Sequence, residues 1–123
     1  MKKVVNLTPH DITVILPDGS KLTIPRSGTV VRVVTKRVLS GTLSTPEGEI
    51  PLVRVRYGEI EGLPEKPEPD TYYIVSLVVV QAVRASALLH RWAGRLLVPD
   101  TSPAGAIRDS EGRIVGVKAL QVY

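Results

Sequence analysis

The sequence predicts an α+β fold, a mainly antiparallel β meander or small barrel with one central α-helix. Three observations carry that expectation. Short runs rich in valine, isoleucine and threonine recur along the chain with Gly- or Pro-bearing turns between them. One stretch only, residues 77–92, switches from a period of two to a helical period. The connections are short, as in a chain of hairpins with one helix packed on them.

That helix and the strand before it organise the expected core. Tyr72, Tyr73, Ile74 and Val75 have the aromatic and β-branched content of a buried strand. Val78, Ala82, Ala85, Leu89 and Trp92 then recur at the spacing of one helical stripe, with Gln81, Arg84 and Arg91 opposite. Ser76 stands where an N-cap hydroxyl is wanted, and Gly94 where a left-handed residue ends a helix. A helix of that length at 1.5 Å per residue would span about 24 Å, enough to cross a small sheet.

The other elements follow from turn chemistry. Residues 3–7 and 12–16 read as strands joined by a corner at Thr8-Pro9-His10-Asp11, where Pro9 removes a ladder donor. Asp18-Gly19 marks a hairpin into residues 21–25, and residues 29–38 form a longer strand. Residues 40–49 read as an edge hairpin with its tip at Pro46-Glu47-Gly48, and residues 50–57 as the strand that returns. Residues 62–70, rich in proline, can only be an extended connector. Short strands at 95–98, 106–109 and 113–117 and a closing strand at 120–123 complete the pattern, with a Ser110-Glu111-Gly112 turn between the second and third.

Composition narrows the classes of function. A chain of 123 residues reads as a single domain, 1–123. It has no cysteine, which removes disulfides, thiolate nucleophiles and thiolate metal sites. No apolar run is long enough for a helical membrane span, and no leader pattern opens the chain, so a soluble, cytoplasmic protein is expected. The formal charge of +4 is spread along the sequence and permits nucleic-acid binding without indicating it. Many valines, ten prolines and few amides resemble a thermophile's composition.

Several blocks resemble one family. Asn6-Leu7-Thr8-Pro9-His10, Gly62-Leu63-Pro64-Glu65, Tyr73-Ile74-Val75-Ser76, Leu97-Val98-Pro99-Asp100-Thr101 and residues 108–117 occur in the order seen in a family of small prokaryotic and bacteriophage proteins. The resemblance covers most of the chain and brings no activity with it. It implies an accessory role in a host cytoplasm.

Candidate sites are polar loops. His10 and Asp11 in the first corner could supply a general base with an acid partner, or simply hold a turn. Asp100, Thr101, Arg108 and Asp109 near the end of the chain could present hydroxyl, guanidinium and carboxylate groups to a small polar or anionic ligand. The plainer alternative is a capped loop with Arg108 and Asp109 paired across it. Arg54 and Arg56 share one strand face with phosphate-binding potential, but no exposed aromatics accompany them. Gly58 to Gly62 does not form a phosphate loop.

The expected function is therefore a non-enzymatic binding or interaction protein with a polar surface pocket, drawing on His10, Asp11, Asp100, Thr101, Arg108 and Asp109. No cofactor or metal is expected. A small hydrolase built on a His/Asp pair and a weak nucleic-acid module on the Arg54/Arg56 face are the alternatives. The partner is expected to be a small polar or anionic molecule or a protein, and an exposed edge strand makes a homo-oligomer possible.

Overall fold

A computed structural model describes the whole chain, residues 1–123. The architecture is α+β and dominated by strands: β1 (Lys3–Asn6), β2 (Ile12–Ile15), β3 (Lys21–Ile24), β4 (Arg32–Thr45), β5 (Gly48–Glu61), β6 (Thr71–Ile74), α1 (Leu77–Arg84), α2 (Leu89–Trp92), β7 (Leu96–Pro99), β8 (Ala106–Arg108), β9 (Ile114–Val117) and β10 (Leu120–Val122). They form two open four-stranded sheets, ordered β1-β6-β7-β10 and β3-β2-β9-β8, and a separate two-stranded ribbon, β4-β5. The small-barrel alternative is thereby corrected, because neither four-stranded sheet closes on itself.

Four of the seven strand pairings are antiparallel, as expected, but the connectivity is not a meander. Three of the strand pairings, β1 with β6, β6 with β7 and β2 with β9, are parallel. A parallel pair needs a crossover, and the helical segment is the crossover from β6 to β7. The helix is thus part of a βαβ unit and not a cover added to a meander.

That crossover is two helices where the sequence predicts one. Ser86 breaks the run: its hydroxyl donates to the Val83 carbonyl at 2.9 Å and accepts from the Leu88 amide at 3.1 Å. A side chain that offers the backbone these bonds competes with the helical ladder. The buried face is also rotated from the expected stripe. Val79, Val80, Ala82 and Val83 are buried, while Val78, Ala85 and Leu89 are exposed. Ser76 occupies the N-cap position in extended geometry, but its hydroxyl makes no cap bond. Gly94 has φ +78 and ends the segment in the left-handed region.

The core sits between this crossover and the first sheet. Tyr73, Val75, Val79, Val80, Val83, Trp92 and Leu96 pack together with Leu7 and Val31. Trp92 is fully buried and meets the Tyr73 ring edge to face, at 5.1 Å between centroids and 74° between planes. The Tyr73 hydroxyl accepts from the Glu68 amide at 3.1 Å, anchoring the extended connector. Val33, Ile60 and Leu63 at the ribbon's root pack on the same core.

Beyond its root the ribbon leaves the core. No residue in either 14-residue strand is buried. At about 3.3 Å per residue it is about 46 Å long. The expected strand at 29–38, edge hairpin at 40–49 and returning strand at 50–57 are one continuous element, turned by Thr45-Pro46-Glu47-Gly48. The Thr45 hydroxyl closes that turn by accepting from the Gly48 amide at 3.2 Å and donating to the Gly48 carbonyl at 2.7 Å.

Candidate functional site

Three regions carry unused binding capacity: a polar cleft at the first corner, an apolar groove beside the helices, and the distal ribbon. The cleft rests on Asn6, the only asparagine in the chain and almost completely buried. Its amide donates to the carbonyls of His10 at 2.8 Å and Ile24 at 3.1 Å, and its oxygen accepts from the Thr8 amide at 3.0 Å and hydroxyl at 2.6 Å. All four of its hydrogen-bonding positions are filled, which is how a buried amide avoids its desolvation cost. Asp11 closes the corner from outside, accepting from the Arg26 amide at 3.0 Å. Its ion pair with the Arg26 guanidinium is exposed and loose, at 3.7 Å.

His10, Asp11 and Thr101 line one cleft of about 310 Å³ there, between the first corner, β7 and β9. The His10 ring and the Thr101 hydroxyl have no hydrogen-bond partner in the protein. The ring makes no contact with a carboxylate that could orient it, since Asp11 is held by Arg26. The pair needed for general-base catalysis is not assembled.

Asp100, Arg108 and Asp109 do not line this cleft. Asp100 accepts from the Ser102 amide at 3.1 Å and from Gln121 at 3.4 Å, and its carboxylate lies so close to Gly105 that a Cβ there would collide with it. Asp109 organises the β8-β9 hairpin, accepting from the amides of Glu111 at 2.9 Å and Arg113 at 3.0 Å, with the Arg113 guanidinium at 3.2 Å. The Arg113 amide, the Glu111 amide and the guanidinium together hold its carboxyl below the ordinary range. Arg108 donates to the Gly112 carbonyl in the same turn. These three residues shape loops, and the expected pairing of Arg108 with Asp109 is corrected by Arg113 taking that position.

The apolar groove, about 470 Å³, lies between α1, α2 and β10. Val80, Val83, Leu89, Trp92 and Val122 line it, and Arg84 is its only charged neighbour, 5.9 Å over the Tyr123 ring. Trp92 Nε1 is buried without an acceptor.

The ribbon is the largest of the three. Cross-strand partners share a face, so the register assigns Arg37, Leu39, Thr42 and Ser44 of β4 and Glu49, Pro51, Val53 and Val55 of β5 to one side. That side begins at the core: Val33, Ile60 and Tyr57 cover α1 near the root, with the Tyr57 hydroxyl 3.2 Å from Gln81. Val55, 49% exposed, still lines a groove of about 440 Å³ with Ala82, Ala85 and Ser86 at the end of α1, and past it Leu39 and Val53 have nothing over them, 69% and 46% exposed. The opposite side holds Leu43, Ile50 and Leu52 near the tip and Lys36, Arg54 and Arg56 nearer the root. Lys36 stands directly across from Arg56, a like-charge pair that costs stability. Residues 36–56 make no hydrogen bond or ion pair outside the ribbon.

Sequence reasoning singled out Arg54 and Arg56 but divided the ribbon among three elements. The signal nearest to it is the alternation of Val53, Val55 and Tyr57 after the Pro-Glu-Gly tip. Before the tip the apolar residues Val33, Val34, Val38, Leu39 and Leu43 do not alternate, because a bulge between Leu39 and Gly41 shifts the face. No helix is long and apolar enough to cross a membrane, and no group of acidic, histidine or cysteine side chains is arranged to hold a metal. No family model, curated protein or solved structure matches the chain.

Proposed function

We propose that this protein acts by non-enzymatic binding of another macromolecule, and that the β4-β5 ribbon is its interaction element. The carrying observation is the ribbon's uncovered apolar length: seven of its large apolar side chains are more than 40% exposed. An isolated two-stranded ribbon is marginal in water, and exposed apolar strands invite association, so a chain that keeps one has a use for it. An accessory role in the cytoplasm, as the resemblance to small phage and prokaryotic proteins implies, fits such an adaptor.

The test is to shorten the ribbon. Val38 and Arg54 are directly opposite, so an Asn-Gly turn can replace residues 39–53. The expected result is an unchanged melting temperature with loss of every association shown by the full-length chain in native mass spectrometry. Association that survives the deletion contradicts the reading.

The cleft supports a second reading, a small polar or anionic molecule held by the free His10 ring and Thr101 hydroxyl. His10→Ala with Thr101→Val should remove any such molecule carried through purification. Retention of that mass by the double variant contradicts it.

A further inference from the structure

Resting on the ribbon's role as the interaction element, we infer that its partner is a second copy of this chain, with two ribbons packed antiparallel face to face about a twofold axis midway between Pro51 and Val53. The axis is level with Leu52, whose own side chain lies on the far side. The face that runs out from the core has three zones. Glu49 beside Ser44 lies toward the tip, Pro51, Val53 and Leu39 form a middle that is apolar apart from Thr42, and Arg37 beside Val55 lies toward the root. Neither Glu49 nor Arg37 has an ion-pair partner within the chain. Their levels are six residues apart, about 20 Å.

This order of acid, apolar and base is self-complementary under a twofold and under no parallel arrangement. A twofold midway between the two charged levels brings Glu49 of each copy over the Arg37/Val55 level of the other. Glu49 then stands above Val55 and one strand spacing, about 4.8 Å, to the side of Arg37, within reach of its long guanidinium arm. The same twofold sets the Leu39/Val53 pair of each copy against the Thr42/Pro51 pair of the other, Val53 on Pro51 and Leu39 on the Thr42 methyl, covering the surface that α1 leaves bare. A twofold interface uses one patch twice, so a single self-complementary face suffices to build it. The acidic tip disfavours nucleic acid as the occupant of this face, because Glu49 would meet phosphate.

Size sets the strength of the contact. The distal ten residue levels make a face about 33 Å long and about 10 Å wide, below the roughly 800 Å² per partner of a standard interface. The dimer is therefore concentration-dependent, and is read over a wide range of protein concentration.

The test is sedimentation velocity on the full-length chain and four variants, each a change at an exposed ribbon position that leaves the melting temperature in place. The wild type should pass from monomer to dimer as concentration rises. Val53→Asp and Leu39→Asp should each be monomeric throughout. Arg37→Glu and Glu49→Arg should each weaken the dimer by about tenfold or more, since each meets a like charge at both ends of the interface. Mixing those two variants should restore it. In the heterodimer the two introduced charges are opposite in sign and meet each other at one end, while the native Glu49 to Arg37 contact is kept at the other.

A chain that is monomeric at every concentration, a dimer indifferent to Val53→Asp, or a mixture that fails to recover overturns the inference. If the chain stays monomeric yet binds a different macromolecule in a ribbon-dependent way, the second copy is wrong and the interaction role stands. If shortening the ribbon alters no association, both fall.

Discussion

The core around Trp92 and the distal ribbon are built from the same kinds of residue and meet opposite fates. Val75, Val79, Val80 and Val83 of the crossover are almost wholly buried, whereas Val53 and Val55 on β5 are about half exposed. Composition does not separate the two regions; cover does. The βαβ crossover and the sheet beneath it cover each other, so those four valines gain the transfer free energy of full burial. The ribbon has a helix beneath its root and nothing beyond, so its valines gain only what the neighbouring strand covers. One region holds the fold together, and the other offers apolar surface that the chain does not itself use.

Substitutions should break this comparison unequally. Trp92→Ala removes the largest fully buried side chain and should cost about 3–5 kcal/mol in chemical denaturation, with the accompanying loss of the Tyr73 edge contact. Asn6→Ala removes a buried amide with four bonds and should cost about 2–4 kcal/mol, a loss that a polar surface residue would not show. Gly62→Ala tests the hinge between core and ribbon. Gly62 has φ +88, and a Cβ there would lie 2.8 Å from the Val30 carbonyl, so about 1–3 kcal/mol of destabilisation is expected. Val53→Asp should change stability by less than about 0.5 kcal/mol while abolishing self-association. If Val53→Asp unfolds the chain, the ribbon belongs to the core and the comparison fails.

The smallest effect is electrostatic. The Asp109 carboxyl is lowered by the amides and guanidinium that surround it, so the charged form is the one the folded hairpin favours. Its contribution is present above the unfolded value of about 3.9 and is lost as pH falls through the lowered folded value. An NMR titration should place its midpoint below about 3.9, and Arg113→Ala should move it upward. An unshifted midpoint would remove Asp109 as the organiser of that turn.

Much of the strand pattern is legible in local sequence because turn residues act locally. Asp18-Gly19 and Glu111-Gly112 mark hairpins where the structure has them. The parallel pairings are not legible, since nothing local in Lys3–Asn6 announces that its partner is Thr71–Ile74. The broken helix escapes a periodicity argument because Ser86 acts through one hydroxyl and not through hydropathy. In the first corner, Thr8, Pro9 and Asp11 read correctly as turn residues, but the buried bond set of Asn6 depends on Ile24, brought near by β3. The cleft gathers His10, Asp11 and Thr101, while Asp100, Arg108 and Asp109 are occupied by their own loops. A polar residue near a turn looks the same in sequence whether it binds its own backbone or faces a ligand.

Hydrogen exchange at two protein concentrations tests the ribbon most directly. Amides of Lys36–Arg56 should become more protected as concentration rises, while those of β6, α1 and β7 keep the same rates at both. Protection in the ribbon that does not depend on concentration, or that changes together with the core, would contradict its assignment as a surface held open for a second copy.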